Sequence, residues 1–153
     1  MKRIPIYIIS ICLTFFAPVK RVDVGMLQPV EIIYVGDKNG QMLVRTDTGD
    51  CGIGDSFSEA LKNMHETSPF VIYLDTADYL LIRENTKLEP DEVAKHLKTS
   101  IRVCLVNEIE DLQMAGKYLK THGDCPKLKE WKTGEKLTGL TSENKYQNNE
   151  IIS

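Results

Sequence analysis

Two β-rich runs, residues 30–35 (VEIIYV) and 42–46 (MLVRT), bracket the segment 36–41 (GDKNGQ). Asn and Gly tolerate the positive φ angles of a tight turn, so Asn39-Gly40 predicts a β-hairpin. A hairpin here commits the chain to a sheet with an antiparallel pair, on which later elements must pack. Residues 48–54 (TGDCGIG) read as a loop. Ser56 followed by Glu59 is a capping box, each side chain able to satisfy an exposed backbone N–H. Phe57, Ala60, Leu61 and Met64 then fall at i, i+3, i+4 and i+7, one apolar helix face that ends before Pro69.

Residues 70–74 (FVIYL) and 79–82 (YLLI) read as strand on either side of 75–78, with one bulged strand and two separate strands both open. Pro90 suits the first turn of a second helix, with Asp91 and Glu92 favourable beside its dipole and Val93, Ala94 and Leu97 facing inward. Residues 101–106 predict a further strand. Residues 108–121 predict a third helix with Ile109, Leu112, Ala115 and Leu119 on one side and Gly123 past its end. A short last strand is expected over 128–131. This order predicts an α+β domain: a single mixed sheet opened by the hairpin, with about three helices packed mainly on one face. Its expected core contains Phe57, Leu61, Met64, Ile72, Leu74, Leu97, Val103, Leu112 and Leu119.

The N-terminus carries a different signal. Lys2 and Arg3 precede residues 4–19, which hold no charge, and Lys20 and Arg21 follow. Sixteen residues would span roughly 24 Å as a helix, short of a ~30 Å hydrocarbon core. That length suits a signal-peptide core or a short signal-anchor, with a buried strand or helix of the domain as the alternative. Bulky Phe15 and the Ala17-Pro18 junction disfavour cleavage, and basic residues on both sides leave orientation open. The division expected is therefore 1–21 as a signal-anchor or signal-peptide-like segment, 22–132 as the α+β domain and 133–153 as a mobile polar tail. Localisation at the cell membrane or outside the cytoplasm follows, with the membrane as a partner through residues 4–19.

Charge narrows the partners further. The four basic residues at 2, 3, 20 and 21 leave 15 basic and 22 acidic side chains over 22–153, a net of −7. So acidic a body is a poor binder of phosphate backbones, and no nucleic-acid partner is expected. Cys51, Cys104 and Cys125 form no CxxC pair. Cys104 sits in an apolar run and reads as a buried, inert thiol, while a Cys51–Cys125 disulfide stays open.

No residue pattern assembles a catalytic, cofactor or metal site. Asp47-Thr48-Gly49 and Asp75-Thr76-Ala77 echo an aspartic-protease dyad, yet only 28 residues separate them and Asp50 follows where a small residue belongs. Gly49, Gly52 and Gly54 suggest a phosphate cradle, which Asp50 and Asp55 would repel. His65, His96 and His122 lack metal-ligand spacing. Cys51 as a nucleophile would sit beside acids that disfavour its thiolate. Trp131 serves packing as readily as binding.

The stretch Gly52-x-Gly54-x-Ser56-x-x-Glu59-Ala60-Leu61-Lys62-Asn63-Met64, then Ser68-Pro69, Ile72-Tyr73-Leu74 and Leu80-Leu81-Ile82, resembles the N-terminal domain of Ger(x)C proteins, the C subunits of spore germinant receptors. The resemblance covers about residues 28–115. It departs from the family where Cys12 is followed by Leu13 instead of Trp-Asp, and where 75–78 replaces a customary histidine. The resemblance implies a short, exported relative in a Gram-positive spore former. The function expected is a non-enzymatic, membrane-associated interaction or assembly module connected with sporulation or germination, with a protein partner. The competing expectation is a small extracytoplasmic hydrolase or thiol enzyme built on Cys51, or on Asp47 with Asp75 and Asp78.

Overall fold

A computed structural model describes residues 24–133 and 137–140. The apolar segment 4–19 and residues 141–153 lie outside the described residues. The chain enters through a 3-10 turn, Val24–Met26, and strand β1 (Leu27–Pro29). Strands β2 (Ile32–Lys38) and β3 (Gln41–Thr46) then form the expected hairpin in a continuous register from Ile33↔Thr46 to Lys38↔Gln41. Asn39 and Gly40 take φ of 59° and 83°, the paired positive angles of a type I′ turn.

Residues 48–54 depart from the loop reading. Cys51–Gly54 is strand β4, paired antiparallel with β3. Glycine-rich sequence scores poorly as strand, yet here the missing side chains let helix α1 (Phe57–Thr67) lie directly on the backbone. A Cβ at Gly54 would stand 2.6 Å from the Ala60 nitrogen. Ser56 caps α1 by accepting from the Glu59 N–H at 3.2 Å. The Glu59 carboxylate reaches back to the Asp55 N–H, one residue earlier than a strict capping box.

The ambiguous 70–82 stretch resolves into two strands in different sheets. Strand β5 (Val71–Tyr73) pairs in parallel with β1, forming a separate two-stranded ribbon. A 3-10 turn, Leu74–Thr76, leads to β6 (Tyr79–Arg83), which pairs in parallel with β2. Helix α2 (Pro90–Val93) is a short turn with Pro90 at its start, and β7 (Arg102–Val106) follows beside β6. Helix α3 (Leu112–His122) begins four residues later than the pattern from Glu108 suggests. Asp111 accepts from the Met114 N–H at 3.0 Å and sets that boundary.

Residues 128–131 are helical, which corrects the expected strand: α4 (Leu128–Lys132) starts where Glu130 accepts the Lys127 N–H at 2.6 Å. Leu128 and Trp131, three apart, then pack against one core cluster, which alternating strand geometry would prevent. The expected boundary at residue 132 also moves. Strand β8 (Thr138–Leu140), inside the stretch read as tail, pairs in parallel with β7.

The main sheet runs β4-β3-β2-β6-β7-β8, antiparallel on the hairpin side and parallel from β2 onward. Ile33, Val35, Val44, Leu80, Ile82 and Val103 face α1, α2 and α4. Ile32, Tyr34, Tyr79, Leu81, Cys104 and Val106 face Leu112 and Leu119 of α3 on the other side. Burial on both faces explains why the central strands read as unbroken apolar runs. Of the expected core only Leu74 is less than fully buried.

The cysteines pair differently from the expectation. Cys104 is not a free buried thiol but is bonded to Cys125, and Cys51 is exposed and unpaired. Gly123 ends α3 and returns the chain under β7, so Cys125 arrives beside Cys104, with Cα atoms 5.5 Å apart.

Candidate functional site

The Gly52–Met64 motif accounts for itself as a packing unit. Gly52 and Gly54 admit the helix backbone, Ser56 caps it, and Ala60, Leu61 and Met64 enter the core. Asn63 accepts the N–H of Ile53 at 3.1 Å, satisfying a donor on the outermost strand of the sheet. The phosphate-cradle reading finds no geometry here, because Gly52 and Gly54 lie under the helix while Gly49 faces open space.

The two Asp-Thr segments do converge, but on backbone. Asp47 Oδ1 accepts the N–H groups of Glu31 and Ile32, both at 3.2 Å. From the other side, Thr76 Oγ1 accepts the Val30 N–H at 3.0 Å and lies 2.9 Å from the Val30 and Tyr73 carbonyls. Together they clamp the entry to β2. Asp78 pairs with Lys98 at 3.3 Å, and Glu31 with Lys120 at 2.6 Å. Asp75 is exposed. Asp47, Asp78 and Glu31 act as anchors and ion-pair partners, with no hydrogen bond joining Asp47, Asp75 and Asp78 among the described residues.

The histidines stay apart. His122 stacks on Tyr118 with ring centroids 4.8 Å apart, and His65 is exposed on the last turn of α1. His96 has a partner the sequence did not suggest: its Nε2 lies 2.7 Å from Ser58 Oγ. A hydroxyl beside an imidazole is the start of a nucleophile–base pair. The Ser58 N–H, however, donates to the Glu92 carboxylate at 3.2 Å. The Ser58 N–H, a donor an oxyanion beside Ser58 would call on, is thus already taken by a carboxylate. The trio ties α1 to α2. Cys51 has no histidine partner, and no group of three metal-ligating side chains occurs among the described residues.

A cleft of about 550 Å³ opens near the carboxyl ends of β2 and β6, lined by Asp37, Asp55, Arg83, Glu84, Asn85 and Lys87 among others. Ligands of open α/β sheets favour such an edge. Here Arg83 is engaged by Glu108 at 3.8 Å, and the remaining carboxylates outnumber Lys87. The lining is polar and brings no acid–base pair into contact.

The surface that stands out is the β1–β5 ribbon. Its register, Leu27↔Val71 to Pro29↔Tyr73, turns Val71 and Tyr73 outward and buries Ile72. Met26, Phe70, Val71 and Tyr73 are 44–47% exposed. A parallel pair is ordinarily covered on both faces, and a strand with one wet face ordinarily alternates with polar residues. The unbroken FVIY run carried that signal in the sequence; the partner strand β1 did not.

Among the described residues no helix is long and apolar enough to cross a membrane. No family model, no curated protein and no solved structure matches the chain.

Proposed function

We propose that the chain is a non-enzymatic, membrane-associated or exported interaction module, acting in sporulation or germination as the Ger(x)C resemblance implies. The observation that carries this reading is the uncovered apolar face of the β1–β5 ribbon, since exposed apolar patches mark interaction surfaces. Two further features support it. The Cys104–Cys125 pairing suits an oxidising compartment, and residues 4–19 suit export or anchoring. Asp47, Asp78, Ser58 and His96, which suggested chemistry, are employed in holding backbone, strands and helices.

Fractionation of cells expressing a C-terminally tagged chain tests the reading. Recovery with membranes or outside the cytoplasm is expected, and full-length soluble protein in the cytosol overturns it. Crosslinking and pull-down from sporulating cells would then identify the protein partner.

A small hydrolase is the second reading, and the Ser58–His96 distance is the observation that favours it. Hydrolysis of an activated ester that disappears in both Ser58→Ala and His96→Ala, with folding retained, would select it over the module.

A further inference from the structure

The register puts Leu27, Pro29, Val71 and Tyr73 on the outward face of the ribbon, and Met26 and Phe70 flank its two strands, six residues without a charge. Leu27 is half-buried and the other five are exposed. Beneath it Ile72 enters the core, so this sheet face is fixed to the body on one side only. A two-stranded sheet is marginal in water without further cover. Pro29 has no N–H to offer a further strand, which weighs against extension of the ribbon by strand addition.

We infer that this face rests in the interfacial zone of a lipid bilayer, an inference that depends on the membrane-associated reading above. Chain geometry supports the choice. Val19 ends the uncharged segment and Leu27 begins the ribbon. The eight steps between them span at most ~29 Å when fully extended. If residues 4–19 occupy the bilayer, the ribbon stays within that reach of its surface. Lys20 and Arg21 lie in sequence between the two apolar parts, and basic side chains at that point of a chain suit anionic headgroups. Aromatic rings such as those of Phe70 and Tyr73 suit the boundary between acyl chains and water. This face sets the orientation of the body: the ribbon, whose Ile72 packs with the α1-side cluster, faces lipid, and α3, on the other side of the main sheet, faces away.

The test uses the full chain carrying Trp131→Phe, with one new tryptophan at a time. Phe70→Trp reports on the ribbon, and Met114→Trp reports on the outer side of α3, where Met114 is 62% exposed. Both sites are exposed, so folding should survive; Val71→Trp replaces Phe70→Trp if its circular dichroism is altered. Each protein is reconstituted into phosphatidylcholine–phosphatidylglycerol vesicles with acyl-brominated lipid, and binding is scored by flotation. The expected result is that the Phe70→Trp protein loses most of its emission to the bromolipid while the Met114→Trp protein keeps its own. Floating protein with the ribbon tryptophan unquenched overturns the ribbon assignment and leaves membrane association standing. Equal quenching at both positions also overturns it, since the body then has no lipid-facing side. Protein that fails to float overturns both the assignment and the reading beneath it. An unquenched but blue-shifted ribbon tryptophan, with a crosslinked dimer, assigns the face to a second copy instead.

Discussion

The carboxylate of Asp47 holds the first residue of β2: its Oδ1 accepts the N–H of Ile32 at 3.2 Å, while the Asp47 N–H donates to the Ile32 carbonyl at the same distance. Thr76 grips Val30 just before it. A segment that looks like half of a catalytic dyad is therefore a backbone clamp on the central strand.

Asp47→Ala should lower stability by about 1–3 kcal/mol, because two N–H groups lose a charged acceptor. Asp47→Asn keeps an acceptor oxygen and should cost less. Urea denaturation of the soluble body compares them, and an unchanged midpoint for the alanine variant would remove the clamp from the account of the fold.

Gly52 faces the α1 backbone so closely that a Cβ would stand 2.6 Å from the Met64 nitrogen. Gly52→Ala must push the helix away from β4 and should cost about 1–3 kcal/mol or more. Leu61→Ala, which empties a buried site on the same helix, should cost ~2–5 kcal/mol. Denaturation midpoints measure both. A neutral Gly52→Ala would mean that α1 does not lie on β4 as described.

The disulfide makes a mass-spectrometric prediction. Non-reducing digestion after alkylation should yield a Cys104–Cys125 linked peptide and an alkylated Cys51 peptide. Cys125→Ser should destabilise the oxidised body by about 2–4 kcal/mol, the usual worth of a native bridge. A Cys51–Cys125 peptide would contradict the pairing.

The alkaline limb of stability should depend on Tyr34. Burial pushes its hydroxyl above the ordinary value of 10.0, with Arg83 opposing, Glu108 reinforcing and Arg45 opposing in turn. A raised pKa means that the folded chain holds its proton longer than the unfolded one. Stability is thus complete below pH 10 and falls as pH rises through the folded value. The hydrogen bond and charge of Glu31 raise Lys120 in the same sense. Asp91, lowered by its hydrogen bond and charge pairing with Lys132, contributes above its ordinary value of 3.8 and loses that contribution as pH falls. Tyr34→Phe should flatten the alkaline decline in thermal melts recorded from about pH 8 upward, the range below and across the tyrosine pKa. An identical decline in both proteins would assign it elsewhere.

Legibility in the sequence tracked the range of the interaction. Asn39-Gly40, the Ser56 cap and the Phe57–Met64 face were readable because each acts within one turn or one helix. Residues 79–82 and 101–106 were visible as strands, while burial of both their faces was not, because the sequence pattern placed the helices mainly on one face. The candidate surface was half visible: residues 70–73 are apolar at every position, but their partner at 27–29 carries only three residues and a proline, too weak a pattern for a strand.

What the sequence determined by itself was local: the hairpin, the capped start of α1, and most of the residues that must leave water. Only the tertiary structure decided that β5 leaves the main sheet for β1, and that Gly52 and Gly54 form a strand beneath a helix. It also decided that Cys104 takes Cys125, and that residues 138–140 return beside β7. Each of these outcomes depends on contacts between segments distant in the chain. Backbone hydrogen bonds can pair any two strands, and a thiol can meet any other. The choice follows from where the packed core leaves an open edge or brings two sulfurs together.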